Sequence, residues 1–380
     1  MTHRSPLALA ALATAAVRGL DVVATRLPQQ TTSDFQTSGV LDSQGRHWVV
    51  RCPRNASAGA ALEAEVALLE QLVPEVRSGT LPFAVAEPAG FAPLPEGGRA
   101  MVYRQLRGRP LDLARLRPGP GLAADVGRSI AALHELPASL ISDAGLPVYE
   151  VEDYRRRCLA EVDEAARTGR VPPSVLQRWE RALEDVALWR FRPTPVHGDL
   201  AEENMLVLDE EVSGLLNLTS AHVGDPAVDL AWLAASAPED SLDSIAEAYA
   251  LARPEMADTH LFDRAALVSE IALARWLLHG VRTGDEAIVD DAVGMLHELA
   301  DHLVGAAPIG YREPVVVPGD SGGGEGAAHE PAGGTDTVEL EVAAELAATE
   351  EDSSAASQGD AASEGNAPTE GDAASGDPRP

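Results

Sequence analysis

Residues 196–206 read VHGDLAEENML, and this stretch decides how the rest of the chain is interpreted. A short extended segment leads into its His-Gly-Asp turn, where Gly198 allows a backbone conformation that a side chain would oppose. Asn204 follows Asp199 by five positions. The apolar run at 205–208 then predicts a short buried strand.

This layout suits phosphoryl transfer. In that reaction a carboxylate orients or deprotonates a hydroxyl, and a nearby amide oxygen holds Mg²⁺ beside the phosphates. Asp199 is therefore the candidate base, and Asn204 is a candidate metal ligand. We include His197 among the candidate catalytic residues because it opens the same turn.

Two further segments follow this stretch. Residues 214–218 (GLLNL) predict a second short strand, and residues 224–232 (GDPAVDLAW) begin with a Gly-Asp-Pro turn. Together the H-G-D-x-x-x-x-N, strand and G-D-P-x-x-D-L-A segments resemble the aminoglycoside/macrolide phosphotransferase family. The resemblance covers roughly residues 5–305. It implies an α+β, two-lobed protein-kinase-like fold, with a small antiparallel-sheet lobe and a mainly helical large lobe.

The resemblance also implies an activity. A member of this family transfers the γ-phosphoryl group of ATP or GTP to a hydroxyl of an antibiotic-like or amino-sugar acceptor, with Mg²⁺. The family places a metal-binding Asp on the second strand, where this chain has Asn217. A neutral amide is a poorer ligand than a carboxylate for this hard cation. Two functions therefore stay open: a small-molecule kinase, and a weak or inactive pseudokinase that binds nucleotide as a regulator.

The small lobe of such a fold needs a cation to hold the phosphates. All 29 basic residues of this chain are Arg, and Arg51 is the candidate on the expected strand. Arginine stays charged and can contact two phosphate oxygens at once. The helix predicted over 58–72 carries Glu65, which would pair with Arg51. Glu63 and Glu70 are alternatives for this pairing.

Four more residues complete the predicted site. Met101 and Tyr103 lie on the strand predicted over 100–106, which should run into the lobe hinge and present its backbone to the adenine. The family uses the later Asp of the G-D-P-x-x-D segment, here Asp229, to brace the catalytic loop. Asp225 should cap the helix that begins at the Asp-Pro turn, with a metal-proximal role as the alternative.

Composition limits the partners. The net charge of −31 argues against binding to nucleic acid or to an anionic membrane. The apolar segment 7–17 resembles the apolar region of a signal peptide and is too short to span a membrane; of the two interpretations we favour a helix packed on the small lobe. Cys52 and Cys158 have no metal-ligand spacing, so we expect core residues in a reducing cytoplasm.

Three segments are predicted. Residues 1–106 form the N-terminal helix and the small nucleotide-binding lobe, and residues 107–306 form the large catalytic and substrate lobe. Residues 307–380 are rich in Gly, Ala, Ser and acidic residues and cannot bury enough apolar surface to offset their ordering entropy. We predict a disordered acidic tail, whose partner, if it has one, the sequence does not identify.

Overall fold

The computed structural model describes residues 4–28, 32, 34–253 and 258–311 of the 380-residue chain. These residues belong to one compact unit, Met1–Pro314. The predicted acidic tail, from residue 312 onward, lies outside the described residues. The same holds for most of the turn at 29–33, which the kinase-like interpretation places over the nucleotide phosphates.

The small lobe is built on a five-stranded antiparallel sheet with the order β1-β2-β3-β5-β4. Its strands are β1 (Val22–Arg26), β2 (Phe35–Asp42), β3 (His47–Pro53), β4 (Pro88–Pro93) and β5 (Arg99–Arg104). β3 pairs with both β2 and β5 and lies at the centre. Successive side chains of β3 therefore point to opposite faces of the sheet, and both faces are covered.

One face is covered by α1 (Pro6–Ala16), the helix expected at the N-terminus. Its residues Leu9 and Ala13 are buried in a cluster with Trp48 and Val50 of β3. Helix α1 therefore supplies core to the small lobe.

The other face is covered by α2 (Ala56–Ser78), whose Leu62 packs in a cluster with Val49 of β3. The Asn55 side chain caps this helix by accepting a hydrogen bond from the Ala58 N–H. The sequence predicted a helix over 58–72. The helix instead continues through the exposed Pro74.

Five short strands belong to the large lobe. The antiparallel pair β7 (Thr194–Val196) and β10 (His222–Gly224) flanks the stretch that contains His197 and Asp199. A three-stranded sheet is formed by β6 (Arg109–Pro110), β8 (Met205–Leu208) and β9 (Glu211–Leu215). β8 matches the prediction, but β9 ends at Leu215 and not at Leu218. Asn217 adopts a left-handed conformation with φ +62°, which a strand cannot contain.

The rest of the large lobe is helical. Its helices are α3 (Leu122–His134), α4 (Ala138–Asp143), α5 (Val151–Arg167), α6 (Pro173–Glu184), α7 (Ala231–Ser236), α8 (Glu239–Ala252), α9 (Leu261–Thr283) and α10 (Glu286–His302). One core cluster runs from the small-lobe sheet through α3 to β8, and a second joins α5, α6, α9 and α10. The predicted two-lobed α+β fold is confirmed.

The lobe continues beyond the predicted boundary at residue 306. The Ala307 carbonyl accepts a hydrogen bond from Arg178 of α6, and Ile309 packs against the second core cluster. Residues 307–311 therefore lie against the large lobe, which corrects their assignment to the tail. Among the described residues, no helix combines the length and the apolar character that crossing a membrane requires.

Candidate active site

Arg51 joins the two lobes. Its guanidinium donates to Glu65 Oε2 of α2 at 2.5 Å and to Asn217 Oδ1 at 2.7 Å. The other carboxylate oxygen of Glu65 accepts the Leu218 N–H at 2.9 Å. Arg51 also lies over the ring of Phe35, 3.9 Å from its centroid. The strand, the helix and the segment after β9 are therefore tied together at one cation.

The structure distinguishes the three candidate partners on α2. Glu65 is buried and bonded to Arg51. Glu63 is exposed and pairs with Arg99, and Glu70 is also exposed. Helical geometry explains the difference, because the face that carries Leu62, Leu69 and Glu65 is the one packed on the sheet.

A small cleft lies beside this cation. It has a volume of about 10 Å³, room for about one water molecule. Its walls include Val49, Ala86, Tyr103 and Leu216. Burial raises the pKa of Tyr103 to about 12, so the phenol stays neutral.

Met101 does not line this cleft, and its assignment as a nucleotide contact stays a prediction. Its side chain is fully buried in the core, and its backbone pairs with Arg51 on one side and Phe91 on the other. Tyr103 lies two residues further along β5, towards the connection to the large lobe, and its side chain lines the cleft. The sequence placed both on the correct strand, but only the sheet pairing shows which end of the strand meets the cleft.

The His-Gly-Asp turn at residues 197–199, the candidate catalytic turn, is held by Asp229. Its two carboxylate oxygens accept the N–H groups of His197, at 2.7 Å, and Gly198, at 2.9 Å. Burial alone would raise the pKa of Asp229, but the hydrogen bond from His134 and the nearby His197 hold it below its ordinary value. Asp229 is therefore a buried carboxylate that fixes two consecutive peptides next to Asp199.

Asp199 is the exposed member of the turn. Loss of hydration raises the pKa of its carboxyl, and the neighbouring Glu203 and Asp229 add to the rise while His197 opposes it. A carboxylate with a raised pKa takes up a proton more readily than an ordinary Asp. It has the exposure and the proton affinity that a general base needs.

His197 has a different environment. Its ring is fully buried, Nε2 donates to the Leu216 carbonyl at 2.8 Å, and Nδ1 accepts the Asp199 N–H at 3.3 Å. Both ring nitrogens are therefore engaged with the protein. We correct its assignment from a catalytic to a positioning residue, because no ring atom is open to a substrate.

The predicted metal ligands do not form a magnesium site. Asn217 Oδ1 accepts hydrogen bonds from Arg51 and from the Thr219 hydroxyl, the latter at 3.0 Å, so both lone pairs are used and one partner is cationic. Asn204 is buried and donates from Nδ2 to the Asp199 carbonyl at 2.6 Å. No cluster of three or more His, Cys, Asp or Glu residues in the described part of the chain could hold a metal. The neutral amides of Asn204 and Asn217, with Asp199 as the one carboxylate, do not fit Mg²⁺ in this arrangement.

Asp225 lies in the structural core. One of its carboxylate oxygens accepts the Ala227 N–H at 2.9 Å, which is the capping geometry, and the carboxylate takes two hydrogen bonds from the buried Arg264. Arg264 also bonds Asp258. These contacts use the carboxylate for structure and leave no support for the metal-proximal alternative.

Sequence reasoning missed the polar groups behind the catalytic turn. The bonds of the buried His134 to Asp229 and Tyr249 were not predicted. Tyr249 is 115 residues away from His134 along the chain, so no local spacing connects them. The one available signal was the His at the end of an apolar helical stripe.

Comparison with known proteins gives one family. The model of the phosphotransferase enzyme family (APH) matches residues 30–262. A protein of Bacillus subtilis strain 168, uncharacterized protein YcbJ, is 25% identical over 213 residues. That alignment covers 53% of this chain and 66% of YcbJ, slightly less than two thirds of its length.

Solved structures share the fold. The macrolide 2′-phosphotransferase MphH of Brachybacterium faecium is 25% identical with a TM-score of 0.62, covering 73% of this chain and 94% of that one. A type I macrolide 2′-phosphotransferase is 26% identical with a TM-score of 0.61, covering 78% and 99%. The GDP complex of aminoglycoside 2′-phosphotransferase-IIIa, at 18% identity and a TM-score of 0.61, covers 78% and 98% and shows likeness of fold alone.

Proposed function

This chain belongs to the phosphotransferase enzyme family, and we propose that it transfers the γ-phosphoryl group of ATP or GTP to a hydroxyl of a small, antibiotic-like molecule. Asp199 carries the proposal, because it is an exposed carboxylate with a raised pKa on a turn braced by a buried Asp. A neighbour of the same fold was determined with GDP, which supports a nucleotide donor.

In the proposed reaction the phosphoryl group passes directly from the nucleotide to the acceptor, without a covalent intermediate on the protein. The acceptor oxygen forms a bond to the γ-phosphorus, and the bond from that phosphorus to the β–γ bridging oxygen breaks. The nucleoside diphosphate leaves with the electron pair, and the hydroxyl proton passes to Asp199. Such a reaction depends mainly on positioning and on positive charge near the phosphates.

Arg51 supplies that charge in our proposal. It lies on the central strand, and Glu65 and Asn217 hold its guanidinium between the lobes. Its guanidinium can donate to two oxygens at once, so a phosphate can replace the Asn217 contact while the Glu65 pair remains. Glu65 therefore acts as the positioning residue of Arg51.

One observation favours a second function. Asn217 is neutral and already bonded to Arg51, so a carboxylate that could hold a metal beside the phosphates is missing at this position. A pseudokinase would bind nucleotide here and transfer nothing. A protein that only binds nucleotide does not need an exposed carboxylate on a braced turn. Because this chain has one in Asp199, we rank transfer first.

We also propose a cytoplasmic location. Both cysteines are free and buried, and burial raises the pKa of Cys158 to about 12. Thiols in this state are unreactive core groups and suit a reducing compartment.

The test separates the two functions. Purified protein is incubated with ATP or GTP and with kanamycin, erythromycin or glucosamine, and phosphorylated acceptor is measured by mass spectrometry. Nucleotide binding is measured in parallel by thermal shift. Transfer to any acceptor supports the kinase, whereas nucleotide binding without transfer supports the pseudokinase.

A matched control is built into the small lobe. Arg51→Gln should abolish nucleotide binding. Arg99→Gln breaks a similar pair between the sheet and α2, the exposed Arg99–Glu63 bridge, and should leave binding unchanged. If neither variant affects binding, Arg51 does not hold the phosphates.

A further inference from the structure

An aromatic ring lies directly against the catalytic turn. His222, the first residue of β10, has its ring between Gly198 and Gly224. A Cβ added to Gly198 would lie 2.9 Å from His222 Nδ1, and one added to Gly224 would lie 2.8 Å from Cδ2. Both glycines therefore make room for this ring, and one of them, Gly198, directly precedes Asp199.

The tautomer of this ring follows from its hydrogen bond. Nδ1 lies 2.8 Å from the Ser220 carbonyl, which can only accept, so Nδ1 carries the proton. In the neutral ring Nε2 is then an acceptor. It has no hydrogen-bond partner within the part of the chain that the structure describes, and the side chain is partly exposed.

Tyr149, which lies just before α5, and Arg157, which lies within α5, extend this ring into a stack. The segment before α5 is bridged to β10, with the Tyr149 N–H donating to the Val223 carbonyl at 2.9 Å. The Tyr149 ring meets His222 edge-on at 5.3 Å between centroids. The Arg157 guanidinium lies 4.5 Å from the centroid of Tyr149. Beside Tyr149, Val148 is 49% exposed.

Arg157 differs from its neighbours on the same helix. Arg155 and Arg156 pair with the acidic residues Glu152 and Asp153 one turn earlier. Arg157 is exposed and forms no ion pair with any described residue. Arg157 is therefore an exposed cation that contacts a tyrosine ring and no described acid, unlike the two arginines before it.

We propose that Arg157, Tyr149 and His222 form the acceptor subsite of this protein. The proposal rests on the function proposed above, because it takes Asp199 as the group that the acceptor hydroxyl must reach. A sugar ring can lay its C–H face on the two aromatic side chains while a hydroxyl donates to His222 Nε2. Arg157 donates to ether, carbonyl or other acceptor oxygens.

The charge of the subsite selects the acceptor class. Arg157 repels a molecule with many ammonium groups, whereas Val148 and Tyr149 offer apolar contact. The exposed Glu202 and Glu203, in the same loop as Asp199, can hold one amine at the Asp199 end of the stack, whereas Arg157 repels ammonium groups at the other end. The subsite therefore fits a glycosylated, largely apolar acceptor with at most one positive charge, and it disfavours a polycation.

The experiment measures acceptor binding directly by calorimetry, without nucleotide. Erythromycin, with one amine, is the matching probe and kanamycin is the polycationic one. Wild type should bind erythromycin more tightly than kanamycin. Arg157→Gln and Tyr149→Ala should each weaken erythromycin about 10-fold, the size expected for one charged hydrogen bond or one stacked ring. Arg157→Glu should strengthen kanamycin.

Arg156→Gln is the matched control, because it removes a neighbouring arginine that pairs with acids. It should leave both dissociation constants and the melting temperature unchanged. The proposal is overturned if wild type binds neither probe or prefers kanamycin. It is also overturned if Arg157→Gln and Tyr149→Ala bind erythromycin as wild type does while keeping its melting temperature.

The outcomes separate this proposal from the function on which it rests. If wild type binds erythromycin but transfers no phosphate to it from ATP or GTP, the subsite stands and the kinase assignment fails. If wild type phosphorylates erythromycin and the variants keep its affinity, the kinase assignment stands and the subsite is elsewhere.

Discussion

His134 Nε2 lies 3.1 Å from Asp229 Oδ2, and this contact fixes the direction of a buried chain of hydrogen bonds. Tyr249 accepts from Arg253, so its hydroxyl proton points to His134 Nδ1 at 2.8 Å. His134 Nε2 then donates to Asp229, whose oxygens accept the two N–H groups of the catalytic turn. Helices α3 and α8 are thus connected to the peptide that precedes Asp199.

Asp199→Asn tests the base. The variant should lose about 10²–10⁴-fold in turnover, the usual contribution of general-base catalysis. Its nucleotide affinity and melting temperature should match wild type, because the side chain is exposed. Glu211→Gln, which changes an exposed acid on β9 outside the proposed site, is the control and should keep its turnover. Asp199 is not the base if the Asn variant retains more than half of the wild-type rate.

Tyr249→Phe tests the buried chain. The change leaves His134 Nδ1 and Arg253 without the hydroxyl, and an unpaired buried group costs about 1–3 kcal/mol. Tyr154→Phe is the control, since this equally buried hydroxyl has no nitrogen or oxygen partner among the described residues. Urea unfolding should show the loss for Tyr249→Phe alone, together with a lower turnover. Equal stability of the two variants would contradict the chain of hydrogen bonds that runs through Tyr249 and His134 to Asp229.

The pH dependence of stability should report on His134. Burial lowers its pKa below the ordinary value of about 6.5, and the bond to Asp229 opposes this only in part. Between the folded pKa and about 6.5 the unfolded chain binds more protons than the folded protein, so stability falls as the pH decreases through this window. Melting temperatures between about pH 5 and 7.5 should show a shallower slope for His134→Gln. Parallel curves would mean that another group sets the slope.

Asn217→Asp tests the metal requirement. A neutral amide lacks the charge that offsets dehydration of Mg²⁺, so wild type should need millimolar Mg²⁺ for whatever metal-dependent nucleotide binding it has. The Asp variant should reach half-maximal thermal stabilisation by ATP at a lower Mg²⁺ concentration. Asn55→Asp makes the same chemical change at the cap of α2 and should have no effect on it. Identical Mg²⁺ titrations for wild type and Asn217→Asp would show that the side chain at position 217 does not contribute to Mg²⁺ binding.

Gly198→Ala tests the shape of the turn. Gly198 has φ +82°, and an added Cβ would lie 2.2 Å from the Ser220 carbonyl oxygen. Gly45 has a similar φ of +74° but open space around it. Gly45→Ala should therefore cost only the backbone strain, about 1–2 kcal/mol, whereas Gly198→Ala should cost more and lose turnover. Denaturant unfolding and transfer assays of both variants check this difference.

The sequence by itself determined the fold class and the position of the site along the chain. The spacing of Asp199 and Asn204, the Asp-Pro turn at 225–226 and the apolar stripe of α2 are local patterns. Each depends on turn chemistry or helical period within a few residues of the chain. This is why β8 was placed correctly. The preference for Glu65 over Glu63 and Glu70 came from the kinase-like pairing of strand and helix, not from a local pattern.

Only the tertiary structure decided what these side chains touch. Arg51 and Asn217 are 166 residues apart, and their 2.7 Å contact depends on how the two lobes pack. The same applies to His197, whose burial between β7 and the Leu216 carbonyl made it a positioning residue. Sequence period fixes the face on which a side chain points, but the identity of its partner depends on contacts between distant segments. The contrast is greatest for Asn217, which was predicted to bind a metal ion but has the cationic Arg51 of the other lobe as its partner.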